Sequence, residues 1–223
     1  MKYNNLNNFN VNITKYEYLS RLHLSFNNIT TIDNSVFLHE TLQSVWINSN
    51  VGLKFPSKIK LPFLFYLDAR NNSVEIPSLG KDQLPSILYL YLNGNKMPGG
   101  VLPEAFVELS PTLVKIGLAD CEITSLPAYL STFEKVNYLD ARNNYIATVP
   151  SEVTKWIQDR SIEAYFHNNS LLCKNNFNND RENYGKYCEA LCSKYCYAKV
   201  HKNNVCDYVC NSKECNYDDG DCI

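Results

Sequence analysis

Apolar and polar residues alternate in short runs along most of the chain, and an asparagine or a cysteine stands near the end of each run. The clearest runs are YLSRLHLSFNNI, LPSILYLYLNGNKM, PTLVKIGLADCEI and EKVNYLDARNNYI. Alternation of this kind is typical of a strand with one buried face. Because the runs share one register, the pattern predicts a series of stacked, similar units, each with a short strand.

The asparagine or cysteine near the end of each run recurs at a nearly constant interval. It is Asn27, Asn50, Asn72, Asn95, Cys121 and Asn144, with Asn169 as a degenerate seventh member. The intervals run from 22 to 26 residues, and the pattern L-x-x-L-x-L-x-x-N/C-x-L with a period of about 20 to 29 residues is that of leucine-rich repeats. The chain therefore resembles a leucine-rich repeat protein. The resemblance implies an α/β-type solenoid, with short parallel strands on the concave face and irregular or short helical segments on the convex side.

The convex side is expected to come from the segments that follow the strands. EIPSL, SLPAYLSTFEKV and TVPSEVTKWI each carry a proline after an apolar residue, which favours irregular or short helical turns. In each repeat the recurring asparagine is predicted to turn inward and to hydrogen-bond the backbone of the neighbouring turn. Cys121 occupies the same position, so it is interpreted as a buried free thiol rather than a disulfide partner.

Three regions are predicted along the chain. They are a leucine-rich repeat solenoid over residues 1–171, a C-terminal cap or linker over 172–191, and a disulfide-rich module over 192–223. The register extended backwards puts Met1, Asn4 and Leu6 at the end of an earlier repeat, so the solenoid is expected to be N-terminally incomplete, with its signal and cap further upstream. A Cys173–Cys188 bridge would close the C-terminal cap, and exchange with the six following cysteines is the rival arrangement.

The end of the chain has a different chemistry. The sequence holds nine cysteines, and eight of them fall in the last 51 residues. Such crowding predicts disulfides in an oxidising compartment or, alternatively, a metal cluster. From Cys192 the spacing is C-x3-C-x9-C-x3-C-x4-C-x6-C, and the segment NVCDYVCNSKECNYDDGDC ends in an acidic turn. This segment resembles the Notch repeat, or LNR module, a small calcium-binding domain with three disulfides.

The resemblance implies both a disulfide pattern and a set of calcium ligands. The disulfides would be Cys192–Cys215, Cys196–Cys210 and Cys206–Cys222, whereas six cysteines alone permit 15 connectivities. The side-chain ligands of calcium would be Asn203, Asp207, Asp218 and Asp221, completed by backbone carbonyls near Val205. Tyr217 stands where the family usually has a tryptophan.

Simple physical arguments also favour a stapled tail that binds an ion. So small a segment with few large aliphatic residues cannot bury enough apolar surface to fold without staples. Calcium takes six to eight oxygen ligands, and Asp218 and Asp221 lie three residues apart around Gly220. An EF-hand is excluded because Cys215 falls at a ligand position and no glutamate follows at position twelve. A zinc site and a disulfide knot with solvated acids are the alternatives.

The residues between the apolar strand positions are expected to face solvent on the concave surface. They are Arg21, His23, Ser44, Trp46, Tyr66, Asp68, Tyr89, Tyr91, Lys115, Tyr138 and Asp140, flanked by Arg70, Asn93 and Arg142. All except Ser44, Asn93 and Lys115 are taken as candidate ligand-binding residues, because aromatic residues and arginine on a rigid face are typical of binding hot spots. The segment LDAR occurs twice among them. The alternative is that strand propensity alone recruits tyrosine.

Composition and motifs exclude several classes of function. The sequence has 21 Lys+Arg against 23 Asp+Glu, which argues against a nucleic-acid partner because phosphate binding needs a basic stripe. No apolar run approaches the roughly 18 residues of a membrane span, and the N-terminus shows no apolar signal-peptide core. The sequence contains no nucleophile elbow, P-loop, dinucleotide-binding turn or metallohydrolase helix. The chain is therefore predicted not to be an enzyme.

The predicted function is recognition outside the cell or at its surface. The ligand would be a protein, peptide or glycan held on the concave face, with the calcium-stabilised LNR module as an accessory. One alternative is a regulatory or structural role, in which the LNR module masks a protease-sensitive segment or clamps a neighbouring domain. Another is a secreted inhibitor of a foreign enzyme. The ligand's identity and the oligomeric state stay open at this point.

Glycosylation sequons give weak support to secretion. They stand at Asn12, Asn28, Asn71 and Asn168. Asn71 and Asn168 directly precede a recurring asparagine, where tight packing would block a glycan. Asn12 and Asn28 are therefore the predicted glycosylation sites.

Overall fold

Short strands separated by turns make up most of the protein. The computed structural model describes residues 4–169, 204–206, 211–215, 217 and 220–222. In these residues the strands are β1 (Asn8–Phe9), β2 (Arg21–His23), β3 (Thr31–Ile32), β4 (Ser44–Trp46), β5 (Tyr66–Asp68), β6 (Tyr89–Tyr91), β7 (Lys115–Gly117), β8 (Tyr138–Asp140) and β9 (Glu163–Tyr165). The α-helices there are α1 (Asn34–Phe37) and α2 (Ser151–Asp159), and 3₁₀ turns span Pro98–Gly100, Glu104–Leu109, Ala128–Thr132 and Lys213–Cys215.

Most of the strands belong to one parallel sheet, in the order β2-β4-β5-β6-β7-β8-β9. The register is regular, since Arg21 pairs with Ser44, Ser44 with Tyr66, and Tyr66 with Tyr89. Parallel neighbours need a crossover connection between them, and here each crossover is one of the predicted repeats. β1 and β3 form a separate parallel pair. A parallel sheet with few helices is compatible with the predicted solenoid-like α/β fold.

An apolar core lines one face of the sheet. The central strand residues Val45, Leu67, Leu90, Ile116 and Leu139 are buried, and so are Ile47, Ala69, Leu92, Leu118 and Ala141, two positions further along each strand. Phe106 and Phe133 enter the same core from the connecting segments and are fully buried. The alternation of apolar and polar residues therefore predicted the strands and their buried face correctly.

The recurring asparagines form a hydrogen-bond ladder beside the core, as predicted. Asn50 Nδ2 donates to the carbonyl oxygens of Leu24 at 3.1 Å and Ile47 at 3.0 Å, and its Oδ1 accepts the amide of Ile29 at 3.0 Å. The other asparagines of the series make bonds of the same kind, and these are Asn27, Asn72, Asn95, Asn144 and Asn169. Each side chain satisfies backbone groups that would otherwise lie unpaired in the interior.

Cys121 takes the ladder position of its repeat as a buried free thiol, which confirms the prediction. Its Sγ donates to the carbonyl oxygens of Leu92 and Ala119, each at 3.4 Å. Burial raises the pKa of this thiol to about 12. The thiolate, which is the reactive form of cysteine, is therefore strongly disfavoured in the folded protein.

The predicted register also holds near the N-terminus. Asn27 Oδ1 accepts the amides of Asn4 at 2.9 Å and Leu6 at 3.1 Å. Asn144 accepts the amides of Cys121 and Ile123 in the same way, both at 3.0 Å. Asn4 therefore sits in a ladder position, whereas Met1 lies outside the described residues.

A residue in the left-handed backbone region directly precedes each ladder position. These residues are Phe26, Ser49, Asn71, Gly94, Asp120, Asn143 and Asn168, with φ between 55° and 72°. Glycine, asparagine and aspartate adopt this conformation most readily, which explains the paired asparagines of RNNS, RNNY and HNNS. The turn bends the chain out of the sheet at the same point of every repeat.

Short helical turns follow several strands, as their prolines predicted. SLPAYLSTFEKV contains the 3₁₀ turn Ala128–Thr132 directly after Pro127, and α2 begins directly after Pro150. Trp156 Nε1 on α2 donates to the carbonyl oxygen of Phe133 at 3.0 Å, which ties this helix to the preceding repeat. Among the helices of the described ranges, none has both the length and the apolar character that a bilayer crossing requires.

Candidate recognition face and C-terminal module

The sheet face opposite the core, named the open face here, carries the polar and aromatic residues of the strands. The strand register arranges its side chains in rows that cross the strands. The outer row is Arg21, Ser44, Tyr66, Tyr89, Lys115, Tyr138 and Glu163, and the middle row is His23, Trp46, Asp68, Tyr91, Gly117, Asp140 and Tyr165. Two residues further along the chain, a third row follows with Ser25, Asn48, Arg70, Asn93, Ala119, Arg142 and His167. All the candidate ligand-binding residues therefore belong to one face.

Five aromatic side chains from the outer and middle rows form a continuous cluster on this face, named the aromatic row. They are His23, Trp46, Tyr66, Tyr89 and Tyr91. Ring centroids are 5.2 Å apart between His23 and Trp46 and 5.1 Å apart between Trp46 and Tyr66. Tyr66 then contacts Tyr89 at 6.1 Å and Tyr91 at 5.7 Å. All these ring pairs are tilted, which is a favourable arrangement for aromatic side chains. Each ring is therefore held by its neighbours.

Burial of the aromatic row affects the chemistry of its hydroxyl groups. Loss of solvent, followed by the nearby charge of Asp68, raises the pKa of Tyr66. Loss of solvent, followed by the proximity of Tyr66, raises the pKa of Tyr91. Both hydroxyls stay protonated at neutral pH and can donate a hydrogen bond to a ligand.

The two LDAR segments build the same ion pair. Arg70 Nε donates to Asp68 Oδ1 at 2.8 Å, and its Nη2 donates to Oδ2 at 2.7 Å. Arg142 contacts Asp140 through the same atoms, at 2.8 Å and 2.8 Å. Two parallel bonds of this kind are stronger and more directional than a single contact. The repeated sequence thus corresponds to a repeated structure, three repeats apart.

Each arginine of these pairs also faces a tyrosine on the next strand. The guanidinium carbon of Arg70 lies 5.5 Å from the ring centroid of Tyr91, and that of Arg142 lies 5.5 Å from Tyr165. Such cation–π contacts are favourable within about 6 Å. The Arg70 side chain is 45% exposed, whereas that of Arg142 is 13% exposed, so a ligand can reach Arg70 more easily.

The expectation that the whole series faces solvent is wrong at Ser44, Asp68 and Asp140. Their exposed fractions are 3%, 2% and 3%. Neighbouring strands lie only about 4.8 Å apart, so large side chains from adjacent strands cover these short ones. The two aspartates therefore hold arginines in place, and their direct contact with a ligand is not supported.

Asn93 connects the two halves of the face. Its Nδ2 donates to Asp140 Oδ2 at 3.2 Å, although Asn93 follows β6 and Asp140 lies on β8, with β7 between them. Between them stands Gly117, where an added Cβ would collide with Asn93 Oδ1 and would lie 3.1 Å from a ring carbon of Tyr91. Within the described residues, Asn93 Oδ1 is buried and accepts no hydrogen bond.

Sequence reasoning missed the last strand of the face. β9 contributes Glu163 and Tyr165, and His167 follows in the third row. Tyr165 packs against Tyr138, with ring centroids 5.8 Å apart, and its hydroxyl donates to Glu163. The segment IEAYFHNNS has the same alternation as VNYLDARNN, but alanine replaces leucine at its centre. That weak apolar position hid the strand.

His167 is a buried titratable group on this face. Burial, and next the charge of Arg142, lower the pKa of His167 to about 4. Its ring centroid lies 6.1 Å from that of Tyr165. The imidazole is therefore neutral at physiological pH. Its buried position favours the neutral ring over the charged imidazolium.

A disulfide and a tight turn organise the described part of the tail. Cys206 is bonded to Cys222, which is the pairing that the LNR resemblance implies. Tyr217 O accepts the amides of Gly220 at 3.2 Å and Cys222 at 3.1 Å, and Gly220 has φ +102°. The predicted turn around Gly220 is therefore present, at a residue whose backbone conformation requires glycine.

Of the four expected side-chain ligands of calcium, Asp221 lies within the described residues. Asp221 Oδ2 accepts the amide of Asn204 at 2.7 Å, which brings the acidic turn against the loop that follows Asn203. The other three expected ligands, Asn203, Asp207 and Asp218, lie outside the described residues. In the ranges that the structure describes, no group of three or more His, Cys, Asp or Glu side chains is placed to hold a metal ion. The described contact agrees with the expected arrangement, because it draws together the two segments that would supply the ligands.

The remaining predicted disulfides cannot be traced through the described residues. Cys215 is buried and disulfide-bonded. Cys173, Cys188, Cys192, Cys196 and Cys210 lie outside the described residues, and so does the predicted cap.

The sequons differ in the freedom of their amide nitrogens. Asn12 is exposed, and its Oδ1 accepts the amide and the hydroxyl of Thr14 at 3.0 and 2.7 Å. Asn28 Nδ2 donates to Asn7 at 3.2 Å, and Asn168 Nδ2 donates to Asn143 at 2.6 Å. A glycan on Asn28 or Asn168 would replace one of the two amide hydrogens while the other stays bonded to a neighbouring asparagine, so the sugar would have to fit beside that contact. Asn12 is therefore the more favourable site of the two predicted.

Comparison with known proteins concerns the tail. The chain has no significant match among curated proteins. Residues 185–223 match the family model of the Notch LNR domain, so the match begins upstream of Cys192. The C-terminal part of the chain is thus similar to an LNR domain, a module that suggests an extracellular, Notch-like region.

Proposed function

We propose that this protein is an extracellular recognition protein, in which a leucine-rich repeat solenoid presents the open face of its sheet to a ligand. The observation that carries the proposal is the aromatic row together with Arg70. Tryptophan, tyrosine and arginine are the residues most enriched in binding hot spots. The rings are mutually packed on a rigid sheet, so binding costs little loss of side-chain freedom.

The leucine-rich repeat assignment is supported by the period of the sequence and by the asparagine ladder. One strand, one left-handed residue and one ladder residue recur in that order along the sheet. In such an architecture each repeat contacts its neighbours, and the strands line a concave binding surface. The ligand is proposed to be a protein, peptide or glycan, and the chain is proposed to have no catalytic activity of its own.

The LNR module is proposed to bind one calcium ion through Asn203, Asp207, Asp218 and Asp221. The ion would supply positive charge that draws these oxygen ligands together and so stabilises a module too small for a large core. Asp221 is suited to this role because its Oδ2 already reaches the Asn204 backbone. An extracellular site, with its calcium and its oxidising conditions, fits both the ion and the disulfides.

The test is a selection from displayed linear peptides and from a glycan array with the full chain. Trp46→Ala and Tyr89→Ala should each weaken the best selected ligand at least tenfold, the loss expected of a hot-spot residue. Tyr145→Ala is the matched control, since Tyr145 is 70% exposed but belongs to none of the open-face rows. If both open-face variants bind like wild type while removal of residues 192–223 abolishes binding, the recognition face is wrongly assigned.

A further inference from the structure

Apart from its two Asp–Arg pairs, the open face carries two cations, Arg21 and Lys115, and one carboxylate, Glu163, which stands at the β9 end of the outer row and accepts the Tyr165 hydroxyl. Arg70 and Arg142 are held by their aspartates. Arg21 and Lys115 stand in the outer row, and neither forms a salt bridge within the described part of the chain. Arg21 is exposed, and the Lys115 ammonium lies 5.5 Å from the ring centroid of Tyr138. The face therefore offers two cations to a ligand.

These two cations lie on either side of the aromatic row. The register runs from Arg21 through Ser44, Tyr66 and Tyr89 to Lys115, which is four steps between neighbouring strands. At about 4.8 Å for each step, the two backbone positions are about 19 Å apart. Any ligand that engages both must cross the rings between them.

A polyproline II helix has matching dimensions. It rises about 3.1 Å per residue with three residues per turn, so six residues span about 19 Å and one turn about 9.3 Å. Two strand spacings are about 9.6 Å, so side chains on successive turns would meet rings on alternate strands. Proline-rich segments in this conformation bind grooves lined with aromatic side chains.

Resting on the proposed function, we infer that the aromatic row binds a proline-rich segment in the polyproline II conformation, with an acidic residue at each end, six positions apart. The acidic residues pair with Arg21 and Lys115. The prolines pack on Trp46 and the tyrosines, and the ligand's exposed carbonyl groups accept hydrogen bonds from the tyrosine hydroxyls. A β-strand ligand would instead need a free sheet edge for its backbone, which the open face does not provide.

The experiment titrates the full chain with a peptide of five prolines between two glutamates and follows tryptophan fluorescence. Trp156 is buried, so a Trp156→Phe background leaves Trp46 as the reporter. We expect a saturable change in Trp46 emission. The affinity should fall as ionic strength rises from about 0.01 M to about 1 M, because the screening length of the ion pairs falls from about 30 Å to about 3 Å. Arg21→Gln and Lys115→Gln should each weaken binding roughly two- to fivefold, as expected of exposed ion pairs.

Three comparison peptides make the outcome decisive. Lysines in place of the glutamates should weaken binding more than either cation variant does, because two attractive contacts become repulsive. Glycine and serine in place of the prolines should weaken it about tenfold, because a flexible chain must be ordered on binding. Glutamates three positions apart should bind no better than a single glutamate. Equal binding of the glycine–serine peptide, or no saturable change with the proline peptide, overturns the inference.

The result is separable from the test of the proposed function. If selected glycans or other peptides depend on Trp46 while the proline peptide fails, the recognition face stands and its ligand class is wrong. If no selected ligand depends on Trp46, both fail. Arg21→Gln changes an exposed residue, so this arm stays informative even where Trp46→Ala disturbs folding.

Discussion

Asn93 reaches over Gly117 to hydrogen-bond Asp140, with Nδ2 3.2 Å from Oδ2, and so links strands that are not neighbours. Asp140 is thereby held by Arg142 on one side and Asn93 on the other. The contact exists because β7 has glycine in the middle row, where the neighbouring strands carry tyrosine and aspartate.

Gly117→Ala should therefore act through Asn93. The added methyl group would displace the Asn93 side chain and remove a donor from buried Asp140, at an expected cost of about 1–3 kcal/mol in the free energy of unfolding. In an Asn93→Ala background the same change should cost clearly less, because the Asn93 side chain is gone and Tyr91, 3.1 Å from the added Cβ, is the close contact that remains. Urea unfolding of the single and double variants measures this coupling. Equal costs in both backgrounds would contradict the proposed contact.

Alanine substitutions at equivalent ladder positions should lower the free energy of unfolding by unequal amounts. Asn50→Ala removes three donated bonds and one accepted bond from buried backbone groups, and should destabilise the protein by about 3 kcal/mol or more. Cys121→Ala removes weak thiol bonds at 3.4 Å, and should cost about 1–2 kcal/mol through the smaller packed volume. Urea unfolding compares them directly. A larger loss for Cys121→Ala would contradict the ladder's assigned role.

The lowered pKa of His167 predicts a loss of folding stability in acid. Its pKa is lowered to about 4 in the folded protein, whereas an unfolded histidine has a pKa of about 6.5. Above about pH 6.5 both states are neutral and the stability is fully present. As the pH falls from about 6.5 to about 4 the unfolded state gains a proton first, so about 3 kcal/mol is lost, and below about pH 4 this contribution levels off.

The unfolding free energy of His167→Gln should lack this slope between neutral pH and about pH 4. His23→Gln is the matched control, because His23 is exposed on the same face, and it should keep the slope. An unchanged pH profile in His167→Gln would show that other groups cause the acid sensitivity.

Calcium should bind the oxidised full chain with one ion per molecule. Asp221→Asn keeps an oxygen acceptor for the Asn204 amide but removes the charge, so calorimetry should show much weaker binding without unfolding of the turn. Asp218→Ala should also abolish binding, whereas Asp159→Ala, an exposed carboxylate on α2, should not. Tight zinc binding together with free thiols by mass spectrometry would reject the disulfide-bonded module.

Local pattern was enough to predict the strands β2 and β4 to β8, the ladder and the composition of the open face on those strands. The alternation places Val45 and Leu67 inward in any strand, and the role of Asn50 follows from its interval. The burial of Asp68 could not be predicted in the same way, since it depends on arginine and tyrosine side chains from the same and the next strand. The Asn93–Asp140 contact joins residues 47 positions apart, and its sole sequence signal is the unusual glycine between them.

The left-handed residues before the ladder positions have a consequence for how such a protein can change. They fix the end of every strand independently of the connecting segment, and the repeats already differ in length from 22 to 26 residues while the strand register stays regular. Insertions on the back of a repeat therefore leave the spacing of Arg21, Trp46 and Lys115 unaltered. The open face and the outer contour of the molecule can thus diversify separately.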